Sequence, residues 1–210
     1  GKRAIEDHFD ISYELEHQIK GTSKEHYLTE IRSVITKCTF SYTRQIEMKG
    51  LGHAILCGET LIGDQPFAVL LADDLCDAPT KGVLAQMVEL YKKYGCSIVA
   101  IEEVPKSETN KYGVIAGNEI EPGIFMVKDM VEKPEPEVAP SNLAIIGRYI
   151  LTPDIFNIIR ETKPGKGGEI QITDALLTQA KNGMVLAFKF EGQRFDCGSI
   201  DGFVKATNYF

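Results

Sequence analysis

Three short stretches hold the side chains best suited to chemistry: Lys111-Tyr112-Gly113-Val114, Val131-Glu132-Lys133-Pro134 and Ser141-Asn142-Leu143. A glycine such as Gly113 lets a ligand approach the backbone closely. The Glu132 carboxylate accepts hydrogen bonds from hydroxyls, and Lys133 supplies a compact positive charge for a phosphate. Together they suit a phosphorylated sugar. Taken alone, Glu132-Lys133-Pro134 also fits an exposed strand end, with opposite charges on opposite faces and Pro134 closing the strand.

A second set is acidic. Asp73-Asp74 closes the apolar run Pro66–Ala72, and Asp196-Cys197-Gly198 follows a later strand-like stretch. In open parallel sheets the ligand crevice lies at the carboxyl ends of the strands. An aspartate there is commonly a turn former or a helix cap, but two acids at two strand ends can also grip one cation. A hard ion such as Mg²⁺ prefers carboxylate oxygen and leaves positions for water and phosphate. Gly50-Leu51-Gly52-His53-Ala54, preceded by Gln45 and Lys49, reads as a glycine turn entering a helix. Backbone N–H groups at such a start favour anions, and glycine allows a flat base to lie against the backbone. His53 reads as a packing or capping residue. The loop Gly165–Asp174 feeds a helix but lacks the spacing of a P-loop, and no strand precedes it.

The elements that must position these groups follow from pattern. A helix is expected near Glu6–Gln18, and Tyr27, Ile31, Val34 and Ile35 recur at helical spacing. Thr39–Glu47 is β-rich, and His53–Ile62 has a helical apolar face. Pro66–Ala72 predicts a strand buried on both faces. The spacing of Val83, Leu84, Met87, Val88 and Tyr91 predicts a helix over about Pro79–Tyr94, with Gly95 as its stop. Ser97–Ile101 is another buried strand. This alternation predicts an α/β fold with a Rossmann-like, mostly parallel sheet. From Tyr112 the rhythm changes to short strands near 113–116, 124–132 and 143–151, which read as a β-rich insertion. Helices over 153–162, with Thr152 as N-cap and Pro153 at the first position, and over 169–181 come next. A strand over 185–190 and a last helix capped by Ser199 complete the chain. No internal repeat or low-complexity tract interrupts it, so residues 1–210 read as one domain.

Composition narrows the partners. At 210 residues, 43% hydrophobic and 25% charged, the chain can bury one substantial core. A net charge of −7 argues against general nucleic-acid binding, which needs dense positive charge. An acidic protein that takes an anionic nucleotide needs local cations or a metal. No apolar run reaches bilayer length, and Gly1-Lys2-Arg3 leads into a polar segment unlike a signal peptide. Five cysteines without close pairing fit reduced thiols in a cytoplasmic compartment better than zinc or disulfides.

Read together, the segments resemble bacterial UTP–glucose-1-phosphate uridylyltransferases. The matching stretches are Asp7–Asp10 with Tyr13–Glu16, Arg44-Gln45 with Lys49–Ala54, Phe67–Asp74, Tyr112–Val114, Val131–Pro134, Ala139–Tyr149, Gly168–Ala175 and Asp196–Gly198. The most specific is Ala139-Pro140-Ser141-Asn142-Leu143-Ala144-Ile145. The resemblance implies the nucleotide-sugar transferase type of sheet, with the insertion binding sugar. It implies that Gln45 contacts the uracil edge, Gly50 admits the base, and Asp73 and Asp196 hold Mg²⁺. Gly113, Glu132 and Asn142 would line the glucose, with Lys133 on its phosphate; Lys133 and Asp73 would be the catalytic pair. UTP, glucose 1-phosphate and UDP-glucose are the implied small-molecule partners, and the family is commonly homo-oligomeric. Family members begin with a Gly-x-Gly-Thr-Arg turn around the triphosphate, which this sequence lacks. The chain is therefore expected to be a fragment, short at both ends, that alone lacks full activity. A thymidylyl- or adenylyltransferase, a UDP-sugar glycosyltransferase using Asp73-Asp74, and a non-catalytic binding module are the competing readings.

Overall fold

The computed structural model describes residues 4–210, so the polar start at residues 1–3 lies outside the described residues, as do the side chains of Ile31, Val34 and Lys166. The chain forms two compact units, Gly1–Arg44 and Gln45–Phe210. In the first, the expected N-terminal helix is two helices, α1 (Ala4–His8) and α2 (Tyr13–Ile19), followed by α3 (Glu25–Ile35). Arg32 pairs with Glu16, and Phe9 stacks on Phe40 with ring centroids 4.5 Å apart. The β-rich stretch Thr39–Glu47 contains no strand: β-branched and aromatic composition makes a strand only where a partner ladder exists, and none is described here.

The second unit opens with α4 (Leu51–Leu56) and α5 (Glu59–Ile62), separated at Gly58. It then alternates β1 (Phe67–Leu70), β2 (Asp74–Asp77), α6 (Val83–Tyr94) and β3 (Ser97–Glu103). Next come β4 (Gly113–Glu121), β5 (Ile124–Glu132) and β6 (Leu143–Leu151), and finally α7 (Ile155–Glu161), α8 (Ile172–Asn182), β7 (Val185–Lys189), β8 (Gln193–Asp196) and α9 (Ile200–Tyr209). Gly95 stops α6 in the left-handed conformation, and the Ser199 side chain caps α9 by accepting from the Gly202 N–H, both as the sequence predicts. Helix α7 starts at Ile155 with Asp154 as N-cap, two residues later than Thr152; Thr152 and Pro153 instead form the turn that feeds it.

The fold is α/β. The main sheet has six strands in the order β1-β6-β3-β7-β5-β4. Strands β1, β3 and β7 share one direction, and β3–β7 is a directly hydrogen-bonded parallel pair. The parallel set is interrupted because β6, from the β-rich insertion, enters antiparallel between β1 and β3. Strand β4 pairs with β5 and also reaches the first residues of β6, with Val114 opposite Ala144. The insertion is thus part of the sheet, and the ends of β4 and β5 meet at Gly113 and Glu132.

Helices cover both faces. One core joins Val99, Ile101, Ile115 and Leu151 to Ile55 of α4, Phe156 and Ile159 of α7 and Leu176 of α8. The opposite core seats Val83 and Met87 of α6 on Ile98, Ile146 and Leu186. Strand β1 departs from the expectation of burial on both faces: Phe67 and Val69 pack on the core, while Ala68 and Leu70 are exposed. Period-2 alternation sends Phe67 and Val69 to the core and Ala68 and Leu70 to the opposite face, which stays exposed.

Candidate active site

A separate two-stranded ribbon brings the acidic segments together. Strands β2 and β8 pair antiparallel, with Asp74 opposite Asp196. The Cys197 N–H donates to the Asp73 carbonyl over 2.7 Å, which fixes the turn holding Asp73 beside the end of β8. A carbon placed on Gly198 as a Cβ would lie 3.1 Å from Asp196 Oδ1 and 3.3 Å from Asp73 Oδ2. The two carboxylates therefore face one point at the cleft wall.

Asp74 has a different fate from its neighbour. It is buried, accepts from the Gly147 N–H over 2.6 Å and pairs with the buried guanidinium of Arg194. Arg194 also donates to Glu102 over 2.6 Å, lies 3.4 Å from Asp196 Oδ2 and sits over the Tyr112 ring. Burial alone would lower the Arg194 pKa, but the bond and charge of Asp74, with bonds to Tyr112 and Glu102, hold it well above its ordinary value. Tyr112 completes the support of Asp196, its hydroxyl donating to Oδ2 over 2.8 Å. Burial, then the bond to Asp196, push the Tyr112 phenol up against the opposing pull of Arg194, which keeps it a donor. Oδ2 of Asp196 is thus held by Tyr112 and Arg194, while Oδ1 accepts from the Gly198 N–H over 3.1 Å, on the side of Gly198 that Asp73 Oδ2 also approaches.

The sugar-side set forms where β4 begins and β5 ends. Gly113 is buried opposite Glu132, and a Cβ there would meet Thr173 Oγ1 at 2.9 Å and Glu132 Oε2 at 3.2 Å. Glycine is required because the space a side chain would occupy belongs to a hydrogen bond: Thr173, on the first turn of α8, donates to Glu132 Oε2 over 2.6 Å. Lys133 follows with φ 45, a left-handed conformation uncommon for a non-glycine residue. Its N–H is bonded to the Tyr112 carbonyl over 2.9 Å. Local strain of this kind concentrates at functional sites. The Lys133 ammonium lies 3.8 Å from Glu132 Oε1 and is about half exposed.

Asp73, Asp196, Gly113, Glu132 and Lys133 line a single cleft of about 340 Å³, within the size range of small-molecule sites. Gln45 and Gly50 are not among the residues that line it; Gly50 packs against Glu169, which does line it. Gly50 has φ 90, and a Cβ on it would strike Glu169 Cβ at 2.8 Å and the Ile170 carbonyl at 2.9 Å. The Gly52 N–H bonds to the Ile170 carbonyl over 2.9 Å, and the Ile170 N–H to the Lys49 carbonyl over 2.8 Å. The glycine turn is thereby joined to the segment that enters α8. Leu51 and Glu169 both face the cleft. Asn142 is not among the cleft-lining residues: its side chain is exposed and its carbonyl accepts from the Val104 N–H over 3.0 Å. Its neighbour Ser141 fixes the entry to β6, donating to the Ile115 carbonyl and accepting from the Leu143 N–H.

Tyr112 and Thr173 lie in stretches singled out from the sequence but with no role of their own there, Arg194 has none, and His53, the partner of Gln45, reads from sequence as a packing or capping residue. One of these had a signal: Arg194 and Asp196 are two apart on one strand and so share a face. A divalent cation fits the donor set. Among the described residues no group of three or more His, Cys, Asp or Glu side chains is arranged to hold a metal. Two carboxylates facing one point nevertheless suit an ion that takes one or two protein oxygens and the rest from phosphate and water.

The chain matches the protein family described as nucleotidyl transferase over residues 8–210. A UTP–glucose-1-phosphate uridylyltransferase of Pseudomonas aeruginosa is 70% identical over 210 residues, covering 100% of this chain and 75% of that protein. The crystal structure of an apo UDP-glucose pyrophosphorylase superposes with a TM-score of 0.95 at 63% identity, covering 100% of this chain and 77% of the other. A UDP-glucose pyrophosphorylase complexed with UDP-glucose does so with a TM-score of 0.92 at 60% identity, covering 100% and 76%. With a family match over residues 8–210 and this level of identity over the full chain, the chain belongs to the nucleotidyl transferase family, among the UTP–glucose-1-phosphate uridylyltransferases.

Proposed function

We propose that the chain carries the site for nucleotidyl transfer from UTP to glucose 1-phosphate, giving UDP-glucose and pyrophosphate. The observation that carries this reading is the meeting of the Asp73–Asp196 pair with Glu132 and Lys133 in one cleft. Relatives at 70% identity named for this reaction support it, as does a solved relative complexed with UDP-glucose.

In this reaction a phosphate oxygen of glucose 1-phosphate forms a bond to the α-phosphorus of UTP, and the bond from that phosphorus to the pyrophosphate oxygen breaks. The second pKa of a phosphate monoester is about 6, so the nucleophile is already ionised at neutral pH and no general base is required. The obstacle is the approach of two anions. Lys133, held by its backbone bond to Tyr112, supplies positive charge to the sugar phosphate. Glu132, oriented by Thr173, accepts from glucose hydroxyls, and Gly113 leaves room for the ring. Gln45 and Gly50 face the uracil. Asp73 and Asp196 would hold Mg²⁺, which when bound supplies positive charge to triphosphate oxygens. Positioning and charge together account for the rate. Asn142 keeps a place in the reading through its position at the entry to β6, beside the β4 end of the cleft.

A cytoplasmic, reducing setting, in which the five cysteines stay thiols, is part of the same proposal. No described helix is long and apolar enough to cross a membrane. Assembly into a homo-oligomer and a single-domain organisation belong to the same proposal.

Calorimetric titration with UDP-glucose, with and without Mg²⁺, tests the reading: binding strengthened by the ion is expected, and folded protein that binds identically in both conditions would count against Asp73 and Asp196 as ligands. Thr173→Val removes the Glu132 bond at nearly constant volume. It is expected to raise KM for glucose 1-phosphate by about tenfold with a smaller rise in KM for UTP, and Thr173→Ser should restore both. Equal loss for both substrates would instead mean that α8 has shifted.

A further inference from the structure

The Gln45 carboxamide has one donor end and one acceptor end, and its neighbours fix which is which. Nε2 lies 3.0 Å from the Gly50 carbonyl oxygen and 2.9 Å from His53 Nδ1. A carbonyl oxygen only accepts, so the end facing Gly50 is the NH₂; turning the amide over would set two oxygens against each other. The other amide hydrogen meets His53 Nδ1, which accepts it when the imidazole carries its proton on Nε2. Both hydrogens are then used, and Oε1 is the group Gln45 has left to present. No described residue donates to Oε1. Gly50 and His53 belong to one turn of chain at the start of α4, so the same segment provides both partners.

We propose that His53 is a positioning residue for base selection: with the Gly50 carbonyl it holds Gln45 so that an acceptor faces the base edge. This rests on the reading of Gln45 as the base contact. A pyrimidine with hydrogen on N3, such as uracil, can donate to Oε1. Cytosine has a lone pair at N3, so two acceptors would oppose each other there. A site built around a directed hydrogen bond discriminates most strongly when the wrong ligand leaves its polar group unpaired. The arrangement therefore selects uridine over cytidine nucleotides, while thymine, which shares the N3 hydrogen, passes this test.

The experiment is calorimetric titration of the full-length protein and its variants with UDP-glucose and with CDP-glucose. His53→Ala removes the Nδ1 acceptor and frees the amide to turn. It is expected to weaken UDP-glucose binding and to narrow the ratio of the two dissociation constants by about fivefold. His53→Asn offers an amide oxygen near the place of Nδ1 and is expected to keep the ratio. The ratio separates positioning from packing, because a loosened α4 weakens both nucleotide sugars alike. An unchanged ratio in His53→Ala, with Gln45→Leu narrowing it, would overturn the role of His53 and leave Gln45 as the base contact. An unchanged ratio in both variants would overturn the role of His53 together with the reading of Gln45 on which it rests.

Discussion

Replacing Asp73 by asparagine should lower kcat by about a thousandfold while leaving the fold intact. Asp73 is exposed at the cleft wall, and its backbone carbonyl rather than its side chain makes the bond to Cys197. Little of the structure therefore depends on the carboxylate. Its Oδ2 faces the same point as Asp196 Oδ1, and an amide there keeps the shape and removes the charge. The check is turnover measured across a Mg²⁺ titration, with circular dichroism as the control for folding. A variant with native kcat at native Mg²⁺ dependence would remove Asp73 from the metal reading altogether.

The adjacent residue is expected to fail in the opposite way. Asp74→Ala should cost about 3 kcal/mol of stability, roughly 6–12 °C in Tm for a chain of this size, measured by thermal melting. Its side chain is 7% exposed and that of Arg194 6%, so truncation leaves a buried guanidinium short of its principal carboxylate and the Gly147 N–H without its acceptor. Glu102 and Asp196 still face Arg194, which limits the loss. A melting temperature within a degree or two of the parent would mean that those two acids suffice. The contrast between neighbours is that Asp74 holds the scaffold, whereas under the proposed function Asp73 carries the chemistry, although they are identical in type and adjacent in sequence.

That contrast also explains what was legible beforehand. The grouping of Gly113, Glu132 and Lys133 in one cleft could be read because the three are close in sequence, and the strand pattern that brings Gly113 opposite Glu132 is strong in composition. Helix α6 and its Gly95 stop, strands β3, β5 and β6, and the Ser199 cap were readable for the same reason. The supporting bonds were not. Tyr112 and Asp196 are 84 residues apart, Thr173 and Glu132 41, and Arg194 and Asp74 120; no spacing rule reaches across such distances. The ribbon β2–β8 escaped notice because its four-residue strands carry Asp74 and Arg194 inward, and charged residues read as surface until a partner is seen. His53 looked like a packing residue because a single histidine in an amphipathic helix gives no sign of which side chain it touches. The antiparallel entry of β6 was hidden too, since pattern gives strand and face but not the slot in the sheet.

The segment Glu169–Thr173 binds the glycine turn through Ile170 at one end and Glu132 through Thr173 at the other. Under the proposed function, preference for base and preference for sugar are consequently coupled traits. A chain of bonded neighbours spans them, and substitutions in contact or within one network combine non-additively. Under the proposed function, evolving a new sugar specificity by altering the entry to α8 would drag nucleotide preference with it, so variants that change one alone should be sought at Lys133, which faces Glu132 Oε1 rather than the Oε2 bonded to Thr173.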